Sequence, residues 1–325
     1  MLFITNRIPT QGIKTSIGRE WDFDLKNNAA SNSVFYCERN SSKSYTEIGS
    51  EPFLERIKNS SCRQILIYIH GFANMPEDVF RGAAEFQLLC DQKMEDEVLV
   101  VPLIWPCDDD KGVVKDYWDD QKSADASAYS FARVLERFLD WRQKNESSAK
   151  ATPCLKRINV LAHSMGNRVL RETMACWSRY DLADGVPLIF RNTFLIAADI
   201  INESLEASQQ GELICHASRN VVVYHASDDL ALRASKAANL KNKIASRRLG
   251  HTGPENMQKT PANVYSVDCD DVNTDYDYPK GHSYFRSGTS KNKPGLVFDH
   301  IFECLRTGRV FPQNPDQRTT IIKRD

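Results

Sequence analysis

Short apolar runs rich in β-branched and aromatic residues recur along the chain, separated by stretches whose apolar positions follow a helical spacing. Eight such runs stand out: residues 2–5 (LFIT), 34–38 (VFYCE), 64–70 (QILIYIH), 98–105 (VLVVPLIW), 158–164 (INVLAHS), 193–200 (TFLIAADI), 220–226 (NVVVYHA) and 263–269 (NVYSVDC). From the third onward they are almost continuously apolar, as strands buried on both faces should be. Between them, residues 76–94 open with Pro76 and Glu77, both suited to a first helical turn. Residues 118–143 carry apolar positions at Tyr129, Val134, Leu135, Phe138, Leu139 and Trp141, and 164–178 and 297–306 are also amphipathic. Strands alternating with helices predict an α/β architecture: a mostly parallel sheet of about eight strands with helices on both faces. No internal repeat, low-complexity tract or Pro/Gly linker interrupts the middle, so residues 1–325 are expected to form one domain.

The fifth run leads into Ala162-His163-Ser164-Met165-Gly166, a G-x-S-x-G pattern with Ala at its first position. Apolar β-branched residues precede the serine and helix formers follow it, which is the strand–turn–helix context of a nucleophile elbow. Such a turn is strained, so the residues two before and two after must be small. The helix that starts there directs free N–H groups and its positive dipole end at the site, where a developing oxyanion would be stabilised. Small-x-Ser-x-Gly is common by chance, and its alternative is a polar residue at an ordinary turn.

The rest of the chain supplies partners in a telling order. The third run ends in His70-Gly71-Phe72, the His-Gly mark of a loop that gives one oxyanion-hole N–H. The expected donors are the backbone N–H groups of Phe72 and Met165. The seventh run is followed by Ser227-Asp228-Asp229, so an aspartate falls just past the expected strand end. Asp229 is the choice for the acid, Asp228 its close rival and Asp199 a third option at the end of the sixth run. Each aspartate alone reads as a solvated loop or helix N-cap residue. His282, in GHSYF, follows the eighth run and is the expected base; His251 precedes that run and is less well placed. Ser, Asp and His in this order, at the ends of successive expected strands, match the hydrolase arrangement.

With these pieces together, the chain resembles the α/β-hydrolase fold. More narrowly, it resembles the bacterial esterase/lipase-like family catalogued as domain of unknown function 900. LFITNR, YIHGF, LAHSMGNRVL, FLIAADI, SDDLAL, RLG and GHSYF carry the resemblance, from residue 2 to residue 285. Carried over by position, the resemblance implies Ser164 as nucleophile, Asp229 as acid and His282 as base. Ala162 is common for this family.

Composition removes other classes. Hydrophobic residues make up 41% and charged residues 26%, and the net charge is −1, so no global field favours nucleic acid or an anionic membrane. The start MLFITNRIPT has no secretory pattern, and the run at 98–105 is far too short to span a bilayer. Nine cysteines without a CxxC or a tight Cys/His cluster point to reduced, mostly buried thiols in a cytoplasmic protein rather than disulfides or zinc. The acidic stretch 268–278 fails as an EF-hand, since counting from Asp271 puts Tyr276 and His282 where Gly and Glu are needed. It is expected to be a solvated loop.

A basic insertion at 233–259 (Arg233, Lys236, Lys241, Lys243, Arg247, Arg248 and Lys259) is expected to be an exposed face; its functional reading is attraction of an acidic substrate, and it is also the candidate partial cover over the site. Residues 106–118 are a candidate wall, and 201–219 leave no room for a large cap. The expectation is a serine hydrolase of carboxylic esters that needs no metal or other cofactor. Its partner is a small ester or acyl substrate, with no nucleic acid and no membrane span, and its oligomeric state is left open. A thioesterase, amidase or peptidase with the same triad, and a non-catalytic binding module, are the rivals.

Overall fold

A computed structural model describes residues 1–108, 113–147, 152–180, 185–240, 247–312 and 317–324. Within it the eight apolar runs become strands of one sheet. In chain order these are β1 (Leu2–Arg7), β2 (Ala30–Ser41), β4 (Gln64–Ile69), β5 (Val98–Ile104), β6 (Arg157–His163), β7 (Phe190–Ile196), β8 (Ser218–His225) and β9 (Val264–Asp268). Two further strands, β3 (Ser44–Glu47) and β10 (Thr319–Ile321), lie at the two edges and bring the sheet to ten, in the order β10-β9-β8-β7-β6-β4-β5-β1-β2-β3. β1–β2 and β2–β3 pair antiparallel; the other pairings are parallel. The edge strands escape the apolar pattern because they are short: β3 buries only Tyr45 and Glu47, and no residue of β10 is buried.

Nine helices flank the sheet among the described residues: α1 (Ser50–Asn59), α2 (Pro76–Lys93), α3 (Val113–Ser147), α4 (Gly166–Tyr180), α5 (Glu212–His216), α6 (Leu230–Leu240), α7 (Leu249–Thr252), α8 (Asn273–Tyr276) and α9 (Leu296–Thr307). Both sheet faces are covered, which is why the central strands are apolar at consecutive positions. Ile65 and Ile69 of β4 join one core with Phe53 of α1, Trp141 of α3 and Met174 of α4. Leu66 and Tyr68 join the other, with Phe86 of α2 and Phe298 and Ile301 of α9. No described helix is long and apolar enough to cross a membrane.

A polar ladder lies across the N-terminal ends of the central strands. Asn220 Nδ2 donates to Asn192 Oδ1 (2.8 Å), Asn192 Nδ2 to Asn159 Oδ1 (2.8 Å), and Asn159 Nδ2 to Gln64 Oε1 (3.2 Å). The same amides reach the last carbonyls of α9 and the residue after it: Gln64 to Leu305, Asn192 to Cys304 and Asn220 to Gly308. These groups are buried, so each amide removed leaves partners unsatisfied. Asn192→Ala should therefore lower the unfolding free energy by about 1–3 kcal/mol. Urea titration reads this as a lower midpoint at unchanged slope, and an unmoved midpoint would show that the ladder adds nothing. By fixing the register of four neighbouring strands at one rim, the ladder also aligns their ends at the other.

Candidate active site

β4 lies between β5 and β6, so the chain leaves it first to one side and later returns on the other. Such a reversal opens a crevice at the carboxyl ends of the strands. Ile69 pairs with Ala162 there, which brings the His70-Gly71-Phe72 loop beside Ser164. A Cβ on Gly71 would lie 2.9 Å from Ser164 Cβ, and one on Gly166 would lie 2.6 Å from the carbonyl oxygens of Ile69 and His70. Only glycine allows the loop and the start of α4 to approach this closely.

Ser164 has φ +53°, in the left-handed region where a side chain costs about 1–2 kcal/mol. Hydrogen bonds hold it there. Its N–H donates to Ile196 O (2.9 Å), and its carbonyl accepts from Asn167 N (3.1 Å), Asn167 Nδ2 (3.0 Å) and Asp199 N (3.2 Å). Asn167 Nδ2 also reaches the carbonyls of Ala162 and Ile196, so one buried amide ties the turn to two strands. The residue is buried, 7% exposed.

The opposing loop is equally fixed. Trp105 N–H donates to His70 Nε2 (3.2 Å), which leaves the ring proton on Nδ1, 2.9 Å from Gly71 O. Burial keeps this ring neutral and lowers its pKa to about 4. Phe72 packs edge-on against Tyr117, with centroids 5.7 Å apart. Within the described residues neither Phe72 N–H nor Met165 N–H donates a hydrogen bond.

Asp229 lies between β8 and α6 and is fully buried. One oxygen caps α6 by accepting from Leu232 N (2.9 Å); the other is 2.6 Å from His282 Nδ1. His282 sits on the loop between α8 and α9. Asp277 Oδ2 accepts both its N–H and that of Ser283, each at 2.8 Å, and its carbonyl faces His163 Nε2 at 3.1 Å. The residue before Ser164 thus joins the nucleophile turn to the His282 loop. The two imidazoles are 4.7 Å apart between centroids. Burial, with the charge of His282 adding, holds His163 well below the usual imidazole pKa, so it stays neutral and donates. Burial also works to lower the His282 pKa. The charge and hydrogen bond of Asp229 oppose it, with Asp277 and Asp199 adding, and the net shift is upward.

The rival groups point elsewhere. Asp228 accepts from Asn273 Nδ2 (2.5 Å) and Thr274 Oγ1 (2.8 Å). Asp199 accepts from Tyr117 Oη (2.8 Å) and Ser235 Oγ (2.6 Å) and pairs with Arg248 Nε at 3.1 Å. His251 lies on α7, close enough to His225 for its charge to bear on that ring.

Two expectations are corrected. Arg248, read as part of an exposed basic face, is 6% exposed because it neutralises buried Asp199. The acidic stretch 268–278 is not merely solvated: Asp277 anchors His282, and Asp270 accepts from Ser227 Oγ at 2.7 Å. Lys241 and Lys243 of the basic insertion, and residues 109–112 of the candidate wall, lie outside the described residues. Among the described residues no cluster of three His, Cys, Asp or Glu side chains is placed to hold a metal ion. His163, Asn167 and Asp277 were not foreseen as site residues. Their proximity to Ser164 and His282 in sequence was the available signal.

The strand order, the sharp turn at Ser164 and the close approach of the His70-Gly71-Phe72 loop to it are those of an α/β hydrolase. The chain belongs to the family of α/β hydrolases of unknown function, DUF900, whose sequence model matches residues 47–291. Among solved structures it is similar to Est1E from Butyrivibrio proteoclasticus, at 11% identity over 78% of this chain and 89% of that one, with a TM-score of 0.31. A likeness this slight carries no argument about activity. No curated protein matches the chain.

Proposed function

We propose that this hydrolase is a serine esterase acting on carboxylic esters, built as one domain without a large cap. Ser164 is its nucleophile, His282 its general base and Asp229 the acid that orients the base. The observation that carries the reading is the buried 2.6 Å contact between His282 Nδ1 and Asp229, on a loop tied through His163 to the Ser164 turn. A proton on Nδ1 shared with Asp229 leaves Nε2 free to accept the Ser164 proton as Oγ attacks the acyl carbon. Charge then develops on the carbonyl oxygen. The N–H groups of Phe72 and Met165 are the proposed donors to it, each lowering the barrier by roughly 3 kcal/mol. The imidazolium returns its proton to the leaving alcohol, and water releases the acyl group by the same steps. This chemistry uses side chains and backbone of the chain alone.

A fluorophosphonate probe tests the reading. It should label Ser164 and no other serine, and Ser164→Ala should abolish labelling. Labelling at a different residue, or none at all, would remove Ser164 as the nucleophile.

A further inference from the structure

A trans peptide unit is planar, with its N–H and C=O on opposite edges. The orientation of the Phe72 N–H is therefore set by whatever holds the Gly71 carbonyl. That oxygen accepts from His70 Nδ1 at 2.9 Å and from Asn74 Nδ2 at 3.2 Å, which turns the Phe72 N–H the other way. The next peptide unit is held at both edges. Phe72 O accepts from Asn74 Nδ2 at 2.8 Å, and Ala73 N donates to Asp120 Oδ2 at 3.3 Å. Ala73 has φ +53°, a conformation that needs such outside support. Asn74 is itself anchored, since Cys107 Sγ lies 2.9 Å from its carbonyl oxygen.

Asp120 reaches the loop from α3. Its carboxylate is fully buried and accepts N–H groups from three separate segments: Asn28 Nδ2 (2.9 Å), Asp108 N (3.0 Å) and Ala73 N. A buried carboxylate is costly to keep, and burial pushes this one up to about 7. A carboxylate offers what an amide cannot, an acceptor on both oxygens, and the second is spent on Ala73.

We propose that Asp120 and Asn74 are positioning residues that hold the Phe72 N–H in line with the developing oxyanion. This rests on the serine-hydrolase reading above. An oxyanion donor acts in the transition state and not on bound substrate. Loosening it should lower kcat and leave KM in place.

Asp120→Asn isolates the Ala73 contact. Its amide oxygen still serves Asn28 and Asp108, which share Oδ1, while its NH2 opposes the Ala73 N–H. The variant should fold, because its amide oxygen keeps two of the three contacts that Asp120 makes. With p-nitrophenyl butyrate, kcat should fall roughly 10–100-fold with KM within about threefold. The Ki of a trifluoromethyl ketone, which mimics the tetrahedral adduct, should rise in proportion to the loss in kcat/KM. The number of sites titrated by a fluorophosphonate should not change. Asn74→Ala should give the same pattern and carries the test if Asp120→Asn does not fold.

Asn28→Ala, which leaves the Ala73 contact in place, should lower Tm without lowering kcat. If Asp120→Asn and Asn74→Ala lower Tm alone, with kcat and Ki unmoved, both residues are fold braces and the proposal is overturned. If wild-type Ser164 is not labelled, the serine-hydrolase reading fails and takes the proposal with it.

Discussion

His282→Ala should cut kcat by a factor on the order of 10⁵–10⁶, as severe a loss as Ser164→Ala, and the double variant should be little worse than either. Nucleophile and base act as a unit: without an acceptor at Nε2 the serine proton has nowhere to go, and without the serine the base has nothing to activate. Residual activity over water should persist in all three variants, since oxyanion donors and substrate binding survive. The placement of His282 argues for this magnitude. Its loop is held by Asp277 at two N–H groups and by His163 at its carbonyl, so the ring projects from a fixed backbone. His251 sits on α7 and should be replaceable by alanine without comparable loss. Steady-state kinetics on one activated ester, with the sites counted by titration, would check it. Losses that multiply in the double variant would mean that the two residues act in separate steps.

What the sequence could reveal followed from where burial constrains it. β4 to β9 are covered on both faces, so nearly every position is apolar and the runs are visible without context. β3 and β10, four and three residues long at the edges, bury too few apolar side chains to form a visible run. The turn at Ser164 was legible because its close approach to β4 admits only small residues nearby. Of the neighbouring aspartates, Asp229 was the choice and Asp228 its close rival. Asp228 and Asp229 differ only in direction, one facing α8 and the other capping α6 and facing His282, and direction belongs to the backbone. Arg248 looked like its exposed basic neighbours until the fold set it beside Asp199. Groups that orient the site were the least visible. His163 meets the His282 carbonyl across 119 positions and Asp120 meets Ala73 across 47, and no local pattern encodes contacts at such separations.

Asp229→Asn should lower kcat about 10³–10⁴-fold and shift the pH profile in a defined direction. In the wild type kcat/KM should rise with pH through one ionisation, that of His282, because only the neutral ring accepts the serine proton. That ionisation should lie above the ~6.5 of an ordinary histidine, since Asp229 more than offsets the lowering by burial. Asparagine removes the negative charge and cannot stabilise imidazolium, so burial would dominate and the acid limb should move to lower pH while the plateau collapses. Stability responds with the opposite slope. A histidine whose pKa is raised on folding stabilises the fold fully below ~6.5, and that contribution fades as pH rises through the folded value. The stability gap between wild type and Asp229→Asn should therefore be wider at pH 6 than above the His282 ionisation. Asp228→Asn should leave the position of the acid limb nearly unchanged, and Asp199→Asn should move it far less than Asp229→Asn, because neither carboxylate touches the ring and the charge of Asp199 adds only after those of Asp229 and Asp277. An acid limb that stays put in Asp229→Asn, or one that moves as far in Asp228→Asn, would assign the orienting carboxylate elsewhere.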